Sequence, residues 1–173
     1  MAGSDDMNLS FLDFSTGQIV HSLKKAHNDF VRSVMPFHGN ESLSLSGGYD
    51  KIVKLIDLRE TEKFKMVFKH DAELEDLKMY NSDINFVSVG GKITKIWDIR
   101  KNDEALASLT HNIKSVNSAF VSEEDQRIFT GSIDGMVKVY DLNDVRFMMT
   151  ISTECSIKSS IRSQSQGSHF RRT

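Results

Sequence analysis

Four times in this chain a β-like run ends in a large apolar residue followed by aspartate. The four pairs are Leu12-Asp13, Ile56-Asp57, Trp97-Asp98 and Tyr140-Asp141, at spacings of 44, 41 and 43 residues. A fixed period of roughly 40–45 residues means one supersecondary unit stacked on copies of itself, and this ending predicts four-stranded blades arranged as a β-propeller. The expected fold is therefore all-β, built as a binding platform rather than around a single active site.

The unit from 111 to 152 shows the layout most clearly. Strand signals at Val116–Val121, Arg127–Thr130, Met136–Tyr140 and Arg146–Ile151 alternate apolar and polar residues and are rich in β-branched side chains. Glu123-Glu124-Asp125-Gln126 and Asp134-Gly135 mark the turns between them. The same plan recurs at 27–69 and 70–110, which predicts three complete four-stranded blades. Residues 1–26 read as the end of a preceding blade, because Ser4-Asp5-Asp6 aligns with Gly48-Tyr49-Asp50 and with Ser132-Ile133-Asp134. The weakly apolar, Ser-rich stretch 153–173 is expected to be disordered. An open array leaves apolar faces and strand edges uncovered, so the chain is expected to be a fragment or a shortened product that needs a partner at its ends, or self-associates through them.

The hydrophobic fraction of 39% and charged fraction of 27% suit a folded chain, and no apolar run approaches the roughly 18 residues of a spanning helix. Met1 to Asp6 is small and acidic, unlike a signal peptide, and a lone Cys155 offers no internal disulfide; both fit a cytosolic or nuclear setting. Lys158, Arg162, Arg171 and Arg172 leave the segment before Cys155 at −6, against a whole-chain charge of −2. Direct contact with nucleic acid would then fall to the cationic tail rather than to the acidic body.

A histidine precedes the first strand of each unit, at His27, His70 and His111, 28 to 30 residues before the closing aspartate. One could take His111, Thr130 and Asp134 for a nucleophilic triad, but a catalytic set is needed once, whereas this one recurs with the blades. Gly90-Gly91-Lys92-Ile93-Thr94 lacks the spacing of a phosphate loop and reads as a tight turn. His21, His38 and His169 show no ligand spacing and read as surface residues. Phe68, Phe86, Phe120, Phe129 and Met148 read as packing between blades. No metal or cofactor is implied, and no residue set supports catalysis.

These positions resemble the WD-repeat family, in which a His, a Ser or Thr, an Asp and a Trp form a buried hydrogen-bond chain in each blade. The resemblance implies His27, Ser46 and Asp50 in the first full unit, with Ile56 in place of the indole. It implies His70, Ser88 and Trp97 in the second, whose Val89-Gly90-Gly91-Lys92 turn lacks the Asp, and His111, Thr130, Asp134 and Tyr140 in the third.

The shortened Gly-Gly turn, Thr130-Gly-Ser-Ile-Asp-Gly and Ser46-Gly-Gly-Tyr-Asp50, in this order, are similar to WD-repeat proteins associated with U3 small nucleolar RNA, over about residues 2–152. That resemblance implies a non-catalytic scaffold in the nucleolar small-subunit processome, supporting pre-ribosomal RNA transcription and processing. Its partners would be other processome proteins and, through them, U3 small nucleolar RNA and pre-ribosomal RNA, with no membrane. Partner contacts are expected at loop residues near the strand entrances: Asp29, Arg32, Glu73, Glu75, Asn112 and Lys114. The alternative is a generic WD-repeat adaptor of a ubiquitin ligase or chromatin complex, in the cytoplasm or nucleoplasm.

Overall fold

A computed structural model describes residues 1–13, 15–60, 64–101 and 104–152; the tail at 153–173 lies outside the described residues. Strands β1 (Ala2–Gly3), β2 (Leu9–Leu12) and β3 (Ile19–Leu23) form a three-stranded first sheet. The second sheet holds β4 (Val31–Pro36), β5 (Leu43–Gly48), β6 (Ile52–Asp57) and β7 (Phe64–Lys69). The third holds β8 (Asp76–Tyr80), β9 (Asn85–Gly90), β10 (Ile93–Asp98) and β11 (Ala107–Leu109), and the fourth β12 (Val116–Ser122), β13 (Arg127–Ser132), β14 (Met136–Asp141) and β15 (Phe147–Ser152). All pairings are antiparallel between chain neighbours. The fold is thus all-β, a partial propeller of three complete blades and part of a preceding one, as the repeat predicts.

The repeated aspartate has a local cause. In each sheet its Oδ1 accepts the amide two residues on, from Ser15 at 2.8 Å, Arg59 at 3.0 Å, Arg100 at 2.9 Å and Asn143 at 2.8 Å. This side-chain turn starts the hairpin into the outermost strand. A register shift falls just before the dipeptide's apolar member in three sheets, between Phe11 and Leu12, Leu55 and Ile56, and Val139 and Tyr140. Such a bulge twists the outer hairpin; the apolar residue after it packs on the neighbouring sheet at Ile56 and Tyr140, whereas Leu12 is exposed.

The cores lie between sheets, not within them. Leu9, Phe11, Val31 and Ile56 join the first sheet to the second; Leu45, Val53, Phe68, Leu74, Leu77, Phe86 and Trp97 join the second to the third; Val87, Val89, Ile96, Val116, Ile128 and Tyr140 join the third to the fourth. Each fully buried side chain of this kind contributes about 1.5–3 kcal/mol. Trp97 stacks on Phe86 with centroids 5.9 Å apart and meets Phe68 edge-on at 5.6 Å. Phe68 and Phe86 pack between blades as the sequence suggests, but Phe120 and Met148 do not: they are 62% and 42% exposed. They lie on the fourth sheet, whose far side no described sheet covers.

Candidate binding rim and the buried polar chains beneath it

In the second sheet the loop before β4 and the turn after β5 are held together by the Tyr49 amide, which donates to the Phe30 carbonyl at 2.9 Å. Beneath this contact His27 Nε2 stands 2.8 Å from Ser46 Oγ, and His27 Nδ1 stands 2.9 Å from an Asp50 oxygen. An imidazole nitrogen facing a carboxylate carries the proton, so Nδ1 donates to Asp50 and Nε2 accepts the Ser46 hydroxyl. Burial pushes the Asp50 carboxyl up, but hydrogen bonds from His27 and the Asn28 amide outweigh it and hold the group below its usual range. The order Asp-His-Ser is that of a hydrolase triad. Ser46 is fully buried, however, and His27 only 1% exposed, so the hydroxyl meets no substrate and the set locks the loop to the sheet.

The third sheet departs from the expected chain. Trp97 Nε1 donates to Ser88 Oγ at 2.8 Å, but His70 does not continue it: its Nδ1 lies against Ala72 of its own loop, 3.1 Å from the carbonyl, and its buried Nε2 has no partner among the described residues. The turn lacks an aspartate to fix Nδ1, so the ring settles on local backbone instead. Burial pushes the His70 imidazole's pKa down.

The fourth sheet corrects three assignments, His111, Asn112 and Asp134. The Ile133 amide donates to the Ser115 carbonyl at 3.0 Å, the counterpart of the Tyr49–Phe30 bond. Three residues before Phe30 is His27, and three residues before Ser115 is Asn112, not His111. The hairpin from Val116 to its partner Ser132 is one residue shorter than that from Val31 to Gly48, so counting back from Asp141 lands one position early. Asn112, expected as an exposed contact, is therefore 5% exposed and fills the histidine slot beside Thr130 and Tyr140. His111 stands at the surface, stacked on Phe147 with centroids 5.2 Å apart. Asp134 accepts the Met136 amide and bonds no imidazole. The Asn112 amide, Thr130 Oγ1 and Tyr140 OH are buried without a well-oriented partner among the described residues, and burial pushes the Tyr140 phenol up.

Among the remaining contact candidates, Asp29, Glu73 and Lys114 are exposed on the strand-entrance rim. Arg32 and Glu75 face each other instead: Arg32 Nη2 lies 3.3 Å from a Glu75 oxygen, the guanidinium sits over the Tyr49 ring, and Tyr49 OH donates to Glu75 at 2.9 Å. The pair ties the second sheet to the third. Phe30, Ile113 and Ile133, at 43%, 73% and 59% exposure, are apolar rim residues that residue-type reasoning passed over.

The contact that sequence reading missed altogether is Asp76, at the start of β8. One oxygen accepts from Ser33 Oγ of the second sheet at 3.3 Å, from its own Leu77 amide at 2.8 Å and from Lys78 at 3.0 Å. The other accepts from Ser118 Oγ at 3.5 Å and the Ala119 amide at 3.1 Å, both in the fourth sheet. One carboxylate thus bridges three innermost strands. A signal existed, because the matching positions in the other two sheets are serines. On the opposite rim Asp83 accepts the His38 and Gly39 amides at 2.6 and 3.0 Å, making a further latch between the second and third sheets and placing His38 at an exposed but paired position.

Comparison with known proteins agrees with this geometry. The family described as WD domain, G-beta repeat matches residues 17–57 and 104–141. The chain is 33% identical to the U3 small nucleolar RNA-associated protein 15 homolog of Xenopus laevis over 92% of its length, which is 30% of that protein. It is 30% identical to U3 small nucleolar RNA-associated protein 15 of Schizosaccharomyces pombe over 83% of its length and 29% of the relative, and 31% identical to the Homo sapiens homolog over 77% and 26%. The chain spans about 30% of the length of these curated relatives.

Proposed function

The chain belongs to the WD-repeat family, and on that premise we propose that it is a non-catalytic scaffold of the small-subunit processome, acting in pre-ribosomal RNA processing and its transcription. One observation carries the reading: similarity to proteins named for U3 small nucleolar RNA association, running through all three complete blades. The proposed working unit is 27–152, with Asp29, Glu73, Lys114 and the apolar Phe30, Ile113 and Ile133 as contact groups on the strand-entrance rim. A rim whose loops are pinned by buried polar chains presents these groups at low ordering cost. The body is acidic, so RNA is reached through partner proteins rather than by direct phosphate contact. The location that follows is the nucleolus.

The test is to tag the full chain, stain for nucleoli, and recover it with its associated RNA. Enrichment of U3 small nucleolar RNA and pre-ribosomal RNA supports the proposal. Recovery of a ubiquitin ligase or chromatin complex with neither RNA, and no nucleolar signal, would replace it with the adaptor reading.

A further inference from the structure

We infer that the gap between the third and fourth sheets, on the rim opposite the strand entrances, is a recognition site for an arginine side chain of a partner protein. The inference rests on the chemistry of this gap and stands apart from the processome reading. The two hairpin loops that face each other here have equal length: Tyr80 pairs with Asn85 around residues 81–84, and Ser122 with Arg127 around residues 123–126. Asp83 and Asp125 therefore hold the same loop position. Asp83 reaches back to the second sheet and closes that gap on the His38 and Gly39 amides. Asp125 instead turns inward and accepts the Ser122 hydroxyl of its own loop at 2.9 Å, which leaves the next gap unlatched at this point. A cavity of about 330 Å³ remains, with Tyr80, Asn81, Asn85, Glu123, Gln126 and Leu142 in its walls. That volume is at the small end for ligand pockets and suits one long side chain rather than a cofactor.

The polar lining is weighted toward acceptors. The Asn81 side-chain amide donates to Asn85 Oδ1 at 2.8 Å, that of Asn85 to the Trp97 carbonyl at 3.2 Å, and that of Gln126 to the Glu123 carbonyl. Glu123 Oε1 accepts the Asn81 backbone amide at 3.0 Å. Among the described residues, Glu123 Oε2 and the side-chain carbonyls of Asn81 and Gln126 are left without a partner, and of the amide side chains in the lining only Asn143 is wholly uncommitted. One carboxylate oxygen and two carbonyl oxygens call for a cation that donates in several directions. A guanidinium carries five N–H donors in a plane and no acceptor, and it can lay its face on the Tyr80 ring and its stem on Leu142. An ammonium is a compact point charge with no flat face. Burial, joined by the charges of Glu123 and Asp98, pushes the Tyr80 phenol up to about 12, so the ring stays neutral beside a negative field.

The site is also held rigid. Asn81, Ser82 and Asp83 all lie in the left-handed region, with φ of 55°, 51° and 65°, although none is glycine. Such a turn persists only where its surroundings hold it, and here Glu123 grips one end while the His38 and Gly39 amides grip the other. An arginine thus meets acceptors already in place, which lowers the cost of binding. The occupant comes from another protein because the chain's own basic segment starts from the wrong side: β15 ends at Ser152, opposite Met136, on the strand-entrance rim.

The experiment titrates the isotope-labelled full chain with the blocked tripeptide acetyl-Gly-Arg-Gly-amide, with its lysine and citrulline counterparts, and with free arginine, reading backbone amide shifts by NMR. The arginine peptide should give saturable shifts at Asn81, Glu123 and Gln126, the lysine peptide should bind roughly fivefold more weakly, and the neutral citrulline peptide should not saturate. Glu123→Gln keeps an acceptor for the Asn81 amide and should weaken the arginine peptide about tenfold, whereas Glu124→Gln on the same loop should change it by less than about twofold. Free arginine should bind more weakly than the blocked peptide, because its carboxylate is repelled by the acidic loop. No saturable shift, equal responses to arginine and citrulline, or equal losses from the two glutamate changes would overturn the proposal. Free arginine binding as tightly as the blocked peptide would assign the cavity to a small molecule, and tighter peptide binding on deleting residues 153–173 would assign it to the chain's own tail; either result also overturns it.

Discussion

Asp76→Ala tests whether one carboxylate sets the spacing of the innermost strands. Asp76 accepts five hydrogen bonds from three sheets, and its side chain is only 15% exposed. Its removal leaves the Ala119 amide without this acceptor, while the Leu77 amide keeps a 3.1 Å bond to Ser33 Oγ. One lost charge-assisted bond to a part-buried amide costs about 1.5–3 kcal/mol, and the weaker hydroxyl bonds add about 0.5–1 kcal/mol together. The Lys78 pair, between near neighbours on one strand and with the ammonium reaching solvent, adds little. A loss of about 2–4 kcal/mol results, which for a chain of this size lowers Tm by roughly 5–15 °C. Thermal melts followed by circular dichroism read this directly, and urea unfolding should broaden as the sheets uncouple. Asp76→Asn, which keeps one acceptor oxygen, should lose about half as much. The matched Ser33→Ala and Ser118→Ala changes, each removing one neutral bond, should cost about 1 kcal/mol or less. A Tm change within 1 °C for Asp76→Ala, or equal losses for all four variants, would refute the bridging role.

Trp97→Phe removes the bond to Ser88 and leaves a void between Phe68 and Phe86; a loss of about 2–4 kcal/mol is expected by urea denaturation, and less than 1 kcal/mol would mean the indole is peripheral. Ser46→Ala strands the buried His27 Nε2 and should cost about 1–3 kcal/mol without altering the loop contacts seen by amide exchange outside the second sheet. Asp98 is held at about 2, chiefly by the side chain of Arg100, so its folded value lies below its unfolded one. The stability this supplies is complete above about pH 4 and drains as pH falls through the folded value. Arg100→Gln should move the Asp98 midpoint toward about 3.9 in a carboxyl-carbon NMR titration and flatten the acid limb of stability; an unmoved midpoint sinks the pairing. Asn112→His should restore the imidazole missing from the fourth sheet, giving a ring resonance with the slow exchange of His27, whereas a freely titrating, exposed ring would show that the slot does not accept it.

The fold was legible because its signals repeat. Four hydrophobic-Asp pairs carry the same hairpin, and each aspartate does the same turn-forming work, so one pattern is sampled four times along the chain. The His27, Ser46 and Asp50 contact was also readable, since all three residues keep the family's types and spacing. The fourth sheet was misread because a one-residue difference in hairpin length is invisible when histidine happens to stand beside the true slot; only backbone bonding reveals that Asn112 occupies it. Arg32 and Glu75 were misassigned for another reason. Charged residues on entrance loops look alike in sequence whether they face solvent or the next blade, and their separation of 43 residues is the only trace of their pairing. Asp76 shows the limit from the other side, because its meaning arises where three strands converge and no one repeat contains it.

This placement of charges narrows where a partner can bind. In a stacked array each sheet touches only its neighbours, so every latch between blades is also a constraint on the rim above it. Arg32, Glu75 and Tyr49 already satisfy one another, and pulling them into a partner contact would cost the bonds that hold the second sheet to the third. Asp29, Glu73 and Lys114 carry no such debt, and they alternate with the exposed Phe30 and Ile113 along the entrance loops. A partner strand bearing apolar side chains between charged ones fits that spacing, and affinity should reside in Phe30 and Ile113 while the flanking charges set orientation and association rate. Phe30→Ala and Ile113→Ala should therefore weaken partner recovery more than Asp29→Ala or Lys114→Ala, which should change mainly its salt dependence.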